Sequence, residues 1–257
     1  MERKSGRSVP STKAVRPPDS LREIPLDRNW PSIPALELAY TELEQDEMFP
    51  RLPTQKIPHC LEGALAIGQE AAEGLTYDGD LGHWIDRVIH TGVRVRFAQQ
   101  EPSSSGWVRA QYRPKPPTIE IYRSSLDQLD QFIRKGGFRV REDDLIALHL
   151  FHEWFHHLEN TRLGRTDSRL PRVVRKRWGP FAFRERLVRL REIAAHAFTQ
   201  KVMGLSWSPL WLDHLLLLSE KGWSRERIRD HFKHTVHRYR ELLRSLEPTQ
   251  KEDDDET

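Results

Sequence analysis

The stretch at 145–159, LIALHLFHEWFHHLE, restricts this chain more than any other, because it sets His152, Glu153 and His156 in the spacing H-E-x-x-H. On a helix, residues four apart lie one turn above each other, so both imidazoles can reach one point in space. Leu145, Ile146, Leu148, Leu150, Phe151, Trp154, Phe155 and Leu158 occupy nearly the whole circumference, and a helix apolar on most sides is buried. Ionisable side chains inside such a helix need partners, since an unpaired buried polar group costs about 1–3 kcal/mol. One divalent cation satisfies them together, with His152 and His156 as ligands and Glu153 as general base. The competing reading makes both residues core histidines bonded to backbone and turns Glu153 to solvent. Agreement between motif, helical periodicity and apolar flanks favours the metal.

At 257 residues the chain can bury a sizeable core. It has no apolar run of membrane-spanning length, and its first thirty residues lack the apolar segment of a signal peptide, so the expectation is a soluble, cytoplasmic protein. The single cysteine, Cys60, excludes an internal disulfide and any Cys-type zinc site, leaving histidine and carboxylate as metal ligands. A net charge of +3 does not call for nucleic acid.

Residues 1–34 are basic and proline-rich with few apolar anchors, which predicts a disordered arm. One domain is expected from 35 to 248, followed by an acidic disordered tail at 249–257. Helical spacing predicts helices at 35–49, 59–76, 80–91, 124–135, about 143–162, 183–204, 209–218 and 224–246, the last capped by Ser224. Between them the period falls to two at 93–97, 107–112 and 118–122, with turns at 102–106 and 114–117, predicting a small antiparallel sheet of three strands. Residues 165–182 read as a basic loop. Its run Arg172 to Trp178 has the charge of a nucleic-acid patch but one interleaved aromatic, so a solvated face is the favoured reading.

A catalytic zinc needs a third protein ligand. Glu159 lies about 10 Å along the axis from His152 and is a poor source, and Arg162 stands where a longer motif would carry a third histidine. Glu192 is the better candidate, because Ala194, Ala195 and Ala197 beside it allow its helix to approach closely. His196, one turn later, is an alternative ligand or a group that orients one; His149 and His157 also remain open. His231, His234, His237, Tyr239 and Tyr112 are candidate donors to an oxyanion.

With Thr118 to Tyr122, His152 to His156, and Glu192, Ala195 and Phe198 in place, the chain over roughly 60–210 resembles the gluzincin-like metallopeptidases of the ImmA/IrrE type. The resemblance implies an α+β, zincin-like fold: mostly helical, with the small antiparallel sheet packed on the H-E-x-x-H helix. It also implies one Zn²⁺ per chain on His152, His156 and Glu192, Glu153 as catalytic base, and a peptide or protein substrate. The alternative is a zincin-fold regulatory or binding protein that cleaves little, with nucleic acid as a less favoured partner and no membrane association.

Overall fold

The computed structural model describes residues 19–99 and 109–247. The elements run Ala35–Leu43 (α1), Ile57–Ala71 (α2), Leu81–Ile89 (α3), Arg94–Ala98 (β1), Ala110–Pro114 (β2), Pro117–Tyr122 (β3), Arg123–Lys135 (α4), Glu142–Leu158 (α5), Thr166–Arg169 (α6), Val173–Trp178 (β4), Phe181–Glu185 (β5), Arg189–Met203 (α7), Pro209–Glu220 (α8) and Arg225–Leu246 (α9). The molecule is mostly helical with a small sheet, as expected. The expected acidic tail and the turn at 102–106 lie outside the described residues, as do Trp107 and Val108 of the expected second strand.

The motif helix α5 is the centre. It packs on α3, α4, α7, β2 and β3, and every residue from Asp144 to Leu158 except His152 is buried. Its ring-bearing side chains interlock with those of neighbours: Phe151 meets Trp84 at 5.0 Å between centroids, and Phe155 meets Phe198 of α7 at 5.3 Å. Burying a side chain of this size contributes about 1.5–3 kcal/mol. Glu142, Asp143 and Asp144 begin the helix, where carboxylates complement the positive end of its dipole.

The three-stranded sheet is mixed, not antiparallel: its order is β1-β3-β2, with β2 antiparallel and β1 parallel to β3. The reason is which strand can be buried. β3 carries Ile119 and Ile121, both without solvent exposure, whereas β1 and β2 are largely exposed, so β3 takes the centre. β2 and β3 form a tight hairpin, and β1 then reaches β3 along its other edge in the same direction.

Three further expectations need correction. Residues 19–34 are not a free arm, since Leu21, Ile24 and Leu26 belong to the core and Trp207 Nε1 donates to the Ile24 carbonyl at 2.9 Å. The anchor is Asp144, whose Oδ2 accepts from Leu21 N at 2.7 Å and Ser20 Oγ at 3.0 Å, while Oδ1 accepts from Arg141 at 2.8 Å. Residues 173–185 form an antiparallel hairpin, β4 and β5, in place of a basic loop running into a helix. The motif helix leaves α-geometry after Leu158, continuing as a π-turn from Glu159 to Leu163 before Gly164 at φ 74° ends it. By contrast Ser224 caps α9 as expected, accepting from Arg227 N at 3.2 Å.

Two helices approach α7 closely. α2 does so through Gly68: a Cβ there would lie 2.1 Å from the Ala194 carbonyl oxygen and 3.0 Å from the Ala197 Cβ. The alanines of α7 therefore receive α2 as well as admitting α5.

Candidate metal centre

α5 and α7 bring His152, His156 and Glu192 together, with one ligand atom of each lying within 4.8 Å of the others. His152 Nε2 is 3.2 Å from Glu192 Oε2, and His156 Nε2 is 3.5 Å from Glu192 Oε1. Around a tetrahedral zinc with bonds of about 2.0–2.1 Å, donor atoms lie roughly 3.3 Å apart. The three side chains could therefore hold a metal ion, and Glu192 rather than His196 completes the cluster. The charges agree. Burial opposes ionisation of Glu192, but the two imidazoles hold its carboxyl well below the usual range. Burial alone would lower His156; Glu192 and Glu159 overcome it and push the imidazole up to about 10, and His152 is raised on the same balance.

Glu159, a poor candidate for a ligand, instead holds His156, one of the candidate ligands. Its Oε2 stands 3.0 Å from His156 Nδ1, which leaves Nε2 facing Glu192. The same carboxylate accepts from Thr166 N at 2.8 Å and from Arg191 Nε at 2.9 Å, and it is fully buried. Sequence reasoning passed over this role, although the i, i+3 spacing from His156 to Glu159 was the signal for it.

Glu153 is buried beside the pair, and its Oε2 accepts the backbone N–H of Tyr112 at 2.7 Å. Tyr112 lies opposite Ile119 in β2, an edge strand, so its N–H leaves the ladder to fix the carboxylate. A main-chain donor cannot rotate away, and it leaves the second carboxylate oxygen to act.

The other histidines divide by environment. His157 Nε2 faces the Thr91 carbonyl at 3.1 Å and Nδ1 faces Tyr112 Oη at 3.2 Å, so it ties α5 to its surroundings and is not a ligand. His149 is buried with Nε2 unpartnered, and burial pushes it down to about 4. His196 lies 4.5 Å from His152 between ring centroids, with Nε2 3.5 Å from Asp213 Oδ2, outside the ligand trio but against it. Burial and the neighbouring His152 hold it well below its ordinary value.

His152, Glu192 and His196 line a cleft of about 320 Å³ whose other walls come from α1 and α8 and include Glu42, Asp213 and His214, together with Arg109 and Arg189. Nothing in the local spacing of those five residues distinguished them beforehand. The expected oxyanion donors on α9 do not reach this cleft: Tyr239 is buried against Tyr40, His231 packs on Trp223, and His234 and His237 are exposed. A more apolar cavity of about 380 Å³, lined by Trp30, Phe132 and Trp223, includes none of the three candidate ligands and shares Glu220 with the cleft. Comparison with protein-family models, curated proteins and solved structures finds no match to this chain.

Proposed function

We propose that the chain is a zinc-dependent metallopeptidase of zincin fold, related in plan to the ImmA/IrrE type and acting on peptides or proteins in the cytoplasm. The observation that carries the reading is the pairing of a three-donor site on His152, His156 and Glu192 with Glu153 held by a main-chain N–H next to it. A divalent cation held by those three residues supplies a Lewis acid that acidifies water and polarises a carbonyl. Glu153 accepts the proton of the attacking water as the C–O bond forms and delivers it to the amine nitrogen as the C–N bond breaks. Tyr112 N–H keeps the Glu153 carboxylate in place through both transfers.

β2 adds a means of holding substrate. An edge strand offers main-chain donors and acceptors to an extended peptide, and its outer edge runs beside Glu153 at Tyr112. Main-chain pairing of that kind aligns a scissile bond with little demand on side-chain identity.

The test is elemental analysis joined to cleavage of a peptide library. One zinc per chain, absent from His152→Ala and Glu192→Ala, is expected, with cleavage lost and zinc kept in Glu153→Gln. Full zinc retention by Glu192→Ala would overturn the ligand set. Zinc binding without cleavage of any peptide would leave a zincin-fold binding protein in place of an enzyme.

A further inference from the structure

The hairpin β4–β5 stands free of the body. From Arg175 to Arg184 every residue is exposed on both faces, and only Val173 at its start and Leu187 beyond its end enter the core. An isolated two-stranded ribbon is marginal in water, so its persistence rests on those anchors, on Arg51 donating to the Arg175 carbonyl at 2.6 Å, and on a tight turn with Gly179 at φ 55°.

The pairing register decides what the ribbon displays. Trp178 lies opposite Phe181 and Lys176 opposite Phe183, while Arg177 and Ala182 form the alternate pair between them. Side chains alternate across a strand, so Trp178, Phe181, Phe183 and Lys176 share one face. The three rings are 75%, 70% and 55% exposed, a large apolar outlay with no intramolecular purpose. Between 172 and 186 there are six Arg or Lys residues against Glu185 alone, and Glu185 is paired with Arg175 at 3.0 Å.

We propose that this ribbon is a binding surface for single-stranded nucleic acid, with Trp178, Phe181 and Phe183 as stacking platforms for successive bases and Lys176, Arg177 and Arg184 as contacts to the phosphates. Phe181 and Phe183 stand at alternate positions of β5, roughly 6.6 Å apart, and Trp178 lies across from Phe181 at about 4.5–5.5 Å, so the three rings form one short apolar step against which bases can stack. Charge complementarity selects the occupant. A second copy would bring two like-charged ribbons together. The exposed rings favour a single strand over a duplex, whose bases are already stacked on one another. The surface is independent of the metal site.

The test is fluorescence anisotropy of the full chain with labelled oligo(dT) and oligo(U) of roughly 16 nucleotides, across a salt series. Binding of either polymer is expected, and preference for one names the natural class. Trp178→Ser/Phe181→Ser/Phe183→Ser should weaken binding at least roughly 10-fold at every salt concentration with the slope unchanged. Lys176→Gln/Arg177→Gln/Arg184→Gln should instead flatten the slope of log K against log salt by about 2. Both variants alter only exposed side chains and should melt as the parent does. Absence of binding, equal affinity of parent and aromatic variant, equal affinity for a duplex of the same length, or loss of anionic-vesicle binding in the aromatic variant without any oligonucleotide binding would each overturn the proposal.

Discussion

Metal loading should release protons, and the structure sets how many. In the metal-free chain the His156 imidazole is flanked by the Glu192 and Glu159 carboxylates, which raise it against burial to about 10. At pH 7.5 it therefore carries a proton on the nitrogen that a metal needs. His152 is raised too, so zinc binding should expel at least one proton per chain and strengthen at least about tenfold for each pH unit gained below pH 9. Isothermal titration of zinc in buffers of different ionisation enthalpy reads this number directly as the slope of observed against buffer enthalpy. The linkage has a second consequence for stability. A group raised in the folded state adds stability that is complete below its unfolded value, near 6.5, and is lost as pH climbs through about 10. With chelator present, the His156 contribution should therefore fade on the alkaline side, and Glu192→Gln should reduce that fading. A titration enthalpy independent of buffer would refute the reasoning, because it would mean that His156 is neutral before metal arrives and that neither carboxylate governs it.

Other outcomes follow from single contacts. Glu159→Gln should keep the zinc stoichiometry but lower zinc affinity roughly 10- to 100-fold in chelator competition and lower the urea midpoint as well, since it weakens both the group that orients His156 and the buried pair with Arg191. Gly68→Ala should cost about 1–3 kcal/mol or more in urea denaturation, because its Cβ would meet the backbone oxygen of Ala194 at 2.1 Å and backbone cannot swing aside. Asp144→Ala should leave the buried Leu21 N–H unpaired and cost about 1–3 kcal/mol, with faster proteolysis N-terminal to Ile24 as a local readout. Unchanged proteolysis would mean that the N-terminal segment is held by its apolar side chains alone.

What the sequence disclosed was local. His152, Glu153 and His156 stand at helical spacing on an apolar helix, and Glu192 sits among alanines that advertise close packing, so the trio was legible from short windows. Leu21, Ile24 and Leu26 were not, because three apolar residues scattered among prolines have no periodicity; their burial depends on Asp144, more than a hundred residues away. Strand direction failed for the same reason. Alternation identifies a strand and its faces, but the parallel pairing of β1 with β3 is decided by which strand the core covers. In β4 the register shifts between Val174 and Lys176, which breaks the period of two, so charge masked the hairpin and Phe181 and Phe183 were assigned to the wrong elements.

The same long-range contacts set how the two helices that carry the three donors sit against each other. Arg191 precedes Glu192 and bonds Glu159 at the end of the motif helix, so one buried ion pair fixes the axial position of α7 against α5. At the start of α7, Asp46 accepts from Arg189 N at 2.9 Å and Glu42 pairs with the Arg189 guanidinium at 2.8 Å, which stops the helix from rotating. With both constraints in force, the backbone of Glu192 is placed so that its carboxylate faces His152 and His156. Its spacing from them is then a property of the fold, and three like-minded donors held a few ångströms apart without a cation must be stabilised by protons instead. Proton occupancy and metal occupancy become alternatives for one preformed site, which is why the buffer dependence of zinc binding tests the architecture as well as the ligand set.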